Sequence, residues 1–292
     1  MRSEALPNLL IVGAMKCGTT SLHRYLDLHP DITMSNPKEL RLFDDPAWRD
    51  RIDWYTSHFD PDAAVTGEST VYYTAYPWIS DVPQRMRELV PNAKLIYLVG
   101  DPLKRLAAQW VEWCTIEADR SPEMLGKWAR LPFSEVLADY DDPRHPVVCP
   151  SRYATQLEQY LALFPKTQVM VVDQEDLKHS RVETLQAIFR FLGVDDDFVS
   201  PEFADELNTH GEKSRAWSSY SLVRRTLLAC GAGRIPASTR ARIGQGLRSV
   251  FSRPVAKPTI DESVRPGLTE HLRQEAERLR ELTGKALPHW SV

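Results

Sequence analysis

The residues with the most evident chemistry lie near the start of the chain, in Gly13-Ala14-Met15-Lys16-Cys17-Gly18-Thr19-Thr20-Ser21. Glycines let the backbone come close to an anion, so that successive N–H groups and the start of a following helix point at it. Lys16 adds a full positive charge, and Thr19, Thr20 and Ser21 add hydroxyl donors. Composition and context therefore describe a phosphate cradle. It is not the loop of a nucleoside triphosphatase, which requires Gly-x4-Gly-Lys-Ser/Thr. Gly13 and Gly18 keep that spacing, but Thr19 stands where the lysine belongs, and the lysine lies two places before the second glycine. No magnesium-binding Asp at a strand end is evident, which disfavours kinase or ATPase chemistry. The plain alternative, a strand-to-helix turn, leaves three consecutive hydroxyl residues after Lys-x-Gly unexplained.

Such a loop has to be held by the elements around it. Leu9-Leu10-Ile11-Val12 is uniformly apolar, the pattern of a strand buried on both faces of a parallel sheet. A helix is expected from about Thr19, with Leu22, Tyr25, Leu26 and His29 on one face and a stop at Pro30. The pattern recurs. Lys94 to Val99 is a second buried strand, leading through Gly100-Asp101-Pro102 into a helix with Leu106, Trp110 and Trp113 on one side. Gln168 to Val172 is a third, before a helix with Leu185, Ile188, Phe189 and Leu192 on one face, closed by Gly193. Tyr153, Leu157, Tyr160 and Leu161 mark a further helix ending near Pro165. The alternation predicts an α/β fold, with ligands beyond the carboxyl ends of the strands after Val12 and Val99.

The composition is that of a globular enzyme. The 292 residues carry 36 Lys plus Arg against 40 Asp plus Glu, a formal charge of −4, with 42% hydrophobic and 26% charged residues. These values exclude a disordered or collagen-like chain and give no expectation of nucleic-acid binding. No apolar stretch reaches the roughly 18 residues of a membrane span, and the polar start does not read as a signal peptide, so a cytoplasmic location is expected. Cys17, Cys114, Cys149 and Cys230 are scattered, which implies free thiols rather than a zinc site or disulfides. The tail differs from the rest. From Ala216 to Ile260 there are seven Arg, one Lys and no acid, a formal charge of +8. That segment would serve an anionic acceptor or a partner, or simply be a solvated helical surface. Leu268 to Leu282 predicts a charged amphipathic helix capped by Gly284. The expected organisation is a single domain over 1–292, with a basic, largely helical extension at about 216–292. The oligomeric state is open, a homodimer included.

GAMKCGTTSL after a buried strand, followed by LHP, resembles the 5′-phosphosulfate loop of sulfotransferases dependent on 3′-phosphoadenosine 5′-phosphosulfate (PAPS). The likeness is to the branch containing the heparan-sulfate sulfotransferases and bacterial relatives. PKELRLFD at 37–44, GESTVYY at 67–73, GDPLKRLAAQW at 100–110, SRYATQLEQYLALFP at 151–165, FLGV at 191–194 and LTGKALPHW near the end agree in order. The resemblance covers roughly residues 7–215 well and the tail loosely. It implies a P-loop-like three-layer fold, a central mainly parallel sheet flanked by helices. It also implies PAPS as co-substrate, its desulfated form PAP as product, a hydroxyl or amine acceptor on a small molecule or carbohydrate, and no metal.

Sulfuryl transfer is an in-line displacement that depends on positioning and charge stabilisation. The resemblance gives Lys16 contact with the bridging and sulfonyl oxygens, and Cys17, Gly18, Thr19, Thr20 and Ser21 the phosphate. It makes Glu39 the general base, a task a carboxylate performs if burial raises its pKa or if deprotonation is partial in the transition state. The plain alternative is a surface glutamate in a charged loop. Arg41 signals an anionic acceptor or holds Glu39 in place, and Arg41, Glu68 and Tyr72 are the expected acceptor-binding side chains. Tyr153 matches a family tyrosine near the nucleotide, with a helix core residue as the alternative. Arg105 is retained from the nucleotide motif, and Lys213 and Arg215 match a late basic loop that closes over the nucleotide.

The chain departs from the family where the 3′-phosphate motif begins. An Arg before Asp-Pro and a Ser eight places later are replaced by Gly100 and Ala108. Charge-assisted bonds to a phosphate contribute roughly 1.5–3 kcal/mol each, so the loss weakens that anchor. Three explanations compete: Lys213 and Arg215 replace the missing arginine, the donor lacks a 3′-phosphate, or the fold serves another reaction or binding alone.

Overall fold

In the computed structural model the described residues are 5–115, 131–205, 214–216, 252–254 and 257–292. Five parallel strands form one sheet in the order β2-β3-β1-β4-β5. They are β1 (Leu9–Gly13), β2 (Ile32–Met34), β3 (Val65–Ser69), β4 (Lys94–Val99) and β5 (Val169–Asp173). The central strand β1 is buried along its whole length, as its unbroken apolar run requires. β1 pairs with β3 on one side and β4 on the other, so the chain reverses its progress across the sheet at β1. The crevice beyond that strand's carboxyl end is where such sheets bind ligands.

The described helices are α1 (Thr19–Asp27), α2 (Ile52–Thr56), α3 (Val82–Leu89), α4 (Pro102–Thr115), α5 (Phe133–Val136), α6 (Tyr153–Leu161), α7 (Gln174–His179), α8 (Arg181–Leu192) and α9 (Arg265–Thr283), and those of the sheet's own unit flank it. The predicted α/β architecture with a parallel sheet is the one observed. The differences are local. Gln168 stands in a 3-10 turn, where its side chain donates to the carbonyls of Pro91 and Ala93, and β5 starts one residue later. α1 ends at Asp27. His29 is buried beyond it, with Nε2 on the Asp195 carbonyl and Nδ1 accepting the Asp31 N–H, which fixes the ring between Phe189 and Phe198. β3 was not predicted as a strand: its VTGES is mostly polar, yet fully buried.

The chain divides into two compact units. The first comprises Met1–Leu106, Leu137–Asn208 and Asp261–Val292 and contains the sheet. Within it α9 packs on α6, where Glu275 accepts from the Thr155 N–H and hydroxyl at 3.0 and 2.8 Å. The second comprises Ala107–Val136 and Thr209–Ile260. In it Trp110 Nε1 donates to the Leu131 carbonyl, its ring lies 5.6 Å from Phe133, and β6 (Ser214–Ala216) pairs antiparallel with β7 (Ser252–Pro254). Most of the basic 216–260 segment lies outside the described residues. Among the described residues Cys17, Cys114 and Cys149 are buried and in no disulfide, and no helix is long and apolar enough to cross a membrane.

Candidate active site

The Gly13–Ser21 loop leaves β1 at the carboxyl edge of the sheet and ends in α1. Gly13 has φ 154°, and a Cβ built on it would lie 2.1 Å from Thr74 Oγ1, so glycine is required there. Three hydrogen bonds shape the turn: Ala14 N–H to the Leu98 carbonyl at 2.6 Å, Cys17 N–H to Ala14 at 3.1 Å, and Leu22 N–H to Gly18 at 3.0 Å. Lys16 takes a left-handed conformation, φ 69°, and Gly18, φ 93°, begins the helix. No side chain caps α1, and its first turn holds no acid. The helix start therefore keeps its N–H donors uncapped just after Lys16 in the chain, the combination that suits an anion. Thr20 is exposed there, Ser21 half-buried and Thr19 buried. Cys17 instead turns inward: its Sγ meets Tyr153 Oη at 3.4 Å, and burial pushes the thiol up to about 11.

Glu39 reaches the same edge from the next strand. Its N–H donates to the Ser69 carbonyl at 3.1 Å, and Ser69 is the register partner of Ile11 in β1. Lys38 Nζ donates to Glu39 Oε1 at 2.7 Å. Glu39 and Arg41 both have positive φ, 67° and 55°, so the backbone here is held in a sparsely populated region. Arg41 forms its ion pair with Asp44, at 2.7 Å, and also feels the charge of Glu39. Its guanidinium lies 4.2 Å over the half-buried Tyr72 ring.

Glu68 is placed where no acceptor reaches it, which corrects its expected role. It is fully buried, accepting from Tyr55 Oη at 2.8 Å, Tyr73 Oη at 2.6 Å and Thr70 Oγ1 at 2.9 Å. Burial raises its carboxyl above the usual range against the pull of these three hydrogen bonds. Tyr153 packs in the core between Tyr97 and Trp290, at 6.0 and 5.4 Å, consistent with the alternative of a helix core residue. Arg105 is buried, donating to Ser151 Oγ at 2.5 Å and to the Val147 carbonyl. Lys213 lies outside the described residues. Arg215 belongs to β6, opposite Arg253.

The corner at Gly100 is filled by another residue. Gln174, the first residue of α7, covers it: a Cβ on Gly100 would lie 2.7 Å from Gln174 Oε1 and 3.6 Å from Cys17 Sγ. A neutral amide thus stands over the position where the resemblance expects a guanidinium. Sequence reasoning missed Gln174 because it lies 74 positions from Gly100. It also missed His23, on α1. Burial and then Lys38 hold that imidazole down at about 4, and its buried Nδ1 has no hydrogen-bond partner among the described residues. Among the described residues no cluster of three or more His, Cys, Asp or Glu gathers to hold a metal.

The model of the sulfotransferase domain family matches residues 6–216. The chain is 30% identical over 204 residues to the bifunctional heparan sulfate N-deacetylase/N-sulfotransferase 2 of Bos taurus, covering 65% of this chain and 22% of that protein. It is 30% identical over 206 residues to the human N-deacetylase/N-sulfotransferase 3, with 65% and 23% covered. The chain thus spans under a quarter of the length of these relatives. A sulfotransferase from Alicyclobacillus acidocaldarius superposes with a TM-score of 0.65 at 25% identity, over 99% of this chain and 100% of that one. With the loop after β1 and the parallel sheet that carries it, these likenesses place the chain in the sulfotransferase family.

Proposed function

We propose that this enzyme moves a sulfuryl group from PAPS to a hydroxyl or amine of a small-molecule or carbohydrate acceptor. The reading is supported by an uncapped helix start after the Lys16 loop at the end of β1, and by the bond of Glu39 N–H to the Ser69 carbonyl at the end of the adjacent β3. Lys16 and the N–H groups of Gly18 to Ser21 hold the 5′-phosphosulfate and stabilise the charge that grows on the leaving phosphate. We assign Glu39 Oε2 to receive the acceptor proton, while Lys38 holds Oε1. The acceptor lone pair forms the new bond to sulfur as the bond from sulfur to the bridging oxygen breaks, its electron pair remaining on PAP. The two relatives are named as N-sulfotransferases of heparan sulfate, so an amino sugar is the first acceptor to assay.

Transfer of labelled sulfate from PAPS to a panel of sugar hydroxyls and amines tests the reading. Lys16→Ala is expected to lower kcat about 10²–10³-fold, the loss typical of removing one stabilising donor. Rates unchanged in both Lys16→Ala and Glu39→Gln would refute the site.

The Gly100 corner favours a second reading, a donor without a 3′-phosphate, because Gln174 offers an amide where a dianion calls for a fork of charge. Calorimetric titration with PAP and AMP separates the two. Tighter PAP binding by about tenfold or more, the worth of one charge-assisted bond, supports PAPS; equal affinity supports the second reading.

A further inference from the structure

Two carboxylates stand at the rim of the phosphate loop with no part in the chemistry above. Asp101 follows Gly100 after β4, and Asp173 closes β5 as the register partner of Val99. Both are buried, at 3% and 2% exposure. A buried negative charge beside an anion-binding loop opposes any phosphate held there. Asp173 is close enough to the loop to act on Cys17: burial chiefly pushes that thiol up, and Asp173 adds to it against Tyr153, Arg105 and Lys16.

The segment after α9 supplies donors to both. Trp290 Nε1–H donates to Asp173 Oδ1 at 3.3 Å, beside the Glu175 N–H at 3.3 Å. Ser291 donates twice to Asp101, from N–H to Oδ2 at 2.9 Å and from the hydroxyl to Oδ1 at 3.0 Å. Asp101 Oδ1 also accepts the Leu103 and Lys104 N–H groups that open α4, at 3.0 and 3.1 Å, and Lys104 Nζ lies 3.9 Å from Oδ2. The segment is itself fixed: Arg280 donates to the carbonyls of Ala286 and Val292, and the Trp290 ring packs on Tyr153, whose hydroxyl meets Cys17.

We propose that Trp290 and Ser291 are positioning residues for the donor site. Their donors occupy lone pairs of Asp173 and Asp101, spread those charges, and hold the Gly100–Gln174 corner against the phosphate loop. The inference rests on the donor-binding reading given above; neither residue needs to touch the donor.

Trp290→Phe and Ser291→Ala in the full 292-residue chain test it, titrated with PAP and with AMP at low and at physiological salt, with thermal unfolding as the check on the fold. For a nucleotide the unaltered chain binds, Kd is expected to rise about fivefold in Trp290→Phe, equivalent to about 1 kcal/mol, and less at higher salt. Adding Asp173→Asn restores it, because Asn caps α7 as well as Asp does but carries no charge. Ser291→Ala removes a hydroxyl without disturbing a ring. With Asp101→Asn as its rescue, it gives the same reading should Trp290→Phe unfold. Affinity equal to that of the unaltered chain in the folded variants overturns the proposal, and so does a loss that neither rescue restores. An unaltered chain that binds neither nucleotide overturns the donor reading itself, and the proposal with it.

Discussion

Two glutamates show how placement decides what a residue does. Glu39 sits at the sheet edge with a third of its side chain exposed (34%) and one lysine partner. Glu68 is sealed among three hydroxyl donors. Glu39→Gln is therefore expected to lower kcat about 10²-fold or more, as losing a general base does, with the melting temperature unchanged. Glu68→Ala has the opposite profile. It strands Tyr55, Tyr73 and Thr70, at about 1 kcal/mol each, and so should cost about 3 kcal/mol in denaturant unfolding. Equal effects of the two substitutions on stability would contradict this division. Glu39 was legible because a short motif carries it. The role of Glu68 was not, because its partners Tyr55 and Tyr73 come from α2 and the turn after β3, and no local pattern announces that they converge.

At the scale of the element, the phosphate loop depends on what packs behind it. Gly13→Ala would drive a methyl group into Thr74, a buried and short side chain that cannot swing away. A loss of about 3 kcal/mol or more is expected, the cost of overpacking plus a strained φ, measurable as a fall in the unfolding midpoint. Thr74→Ala should recover part of it. Gly100 differs, since the atom its Cβ would meet is the tip of a flexible Gln174. Gly100→Ala is expected to cost under about 1 kcal/mol, and a larger loss would mean that Gln174 is pinned. The bounds of β4 and the end of α8 followed from an apolar run and from Gly193, and β1 runs one residue past its apolar run. β2 and β3 escaped because one has three residues and the other buries polar ones.

At the scale of the whole molecule, the fold disfavours protonated histidine at two places. His23 is pushed down by burial and Lys38, with Asp27, Glu39 and the Ser35 backbone opposing. His271 on α9 is pushed down by burial and by Arg152, whose Nε–H donates to its Nε2 at 3.0 Å. Because both folded pKa values lie below the ordinary 6.5, their contribution is complete above that pH and is lost as pH falls, toward about 4 for His23. The melting temperature should thus fall between pH 6.5 and 4, with a shallower slope in His23→Gln; an identical slope would remove His23 as a cause. The sequence by itself determined the α/β class and the buried strands β1 and β4, because each is written in contiguous residues whose periodicity acts locally, while Glu39 as base came from the family resemblance. Only the tertiary structure decided that Gln174 fills the Gly100 corner, that Cys17 faces Tyr153, and that Trp290 and Ser291 donate to two aspartates. Those contacts join residues 74 to 190 positions apart, and side-chain pairing at that separation is set by the crossing of the strands, not by any pattern along the chain.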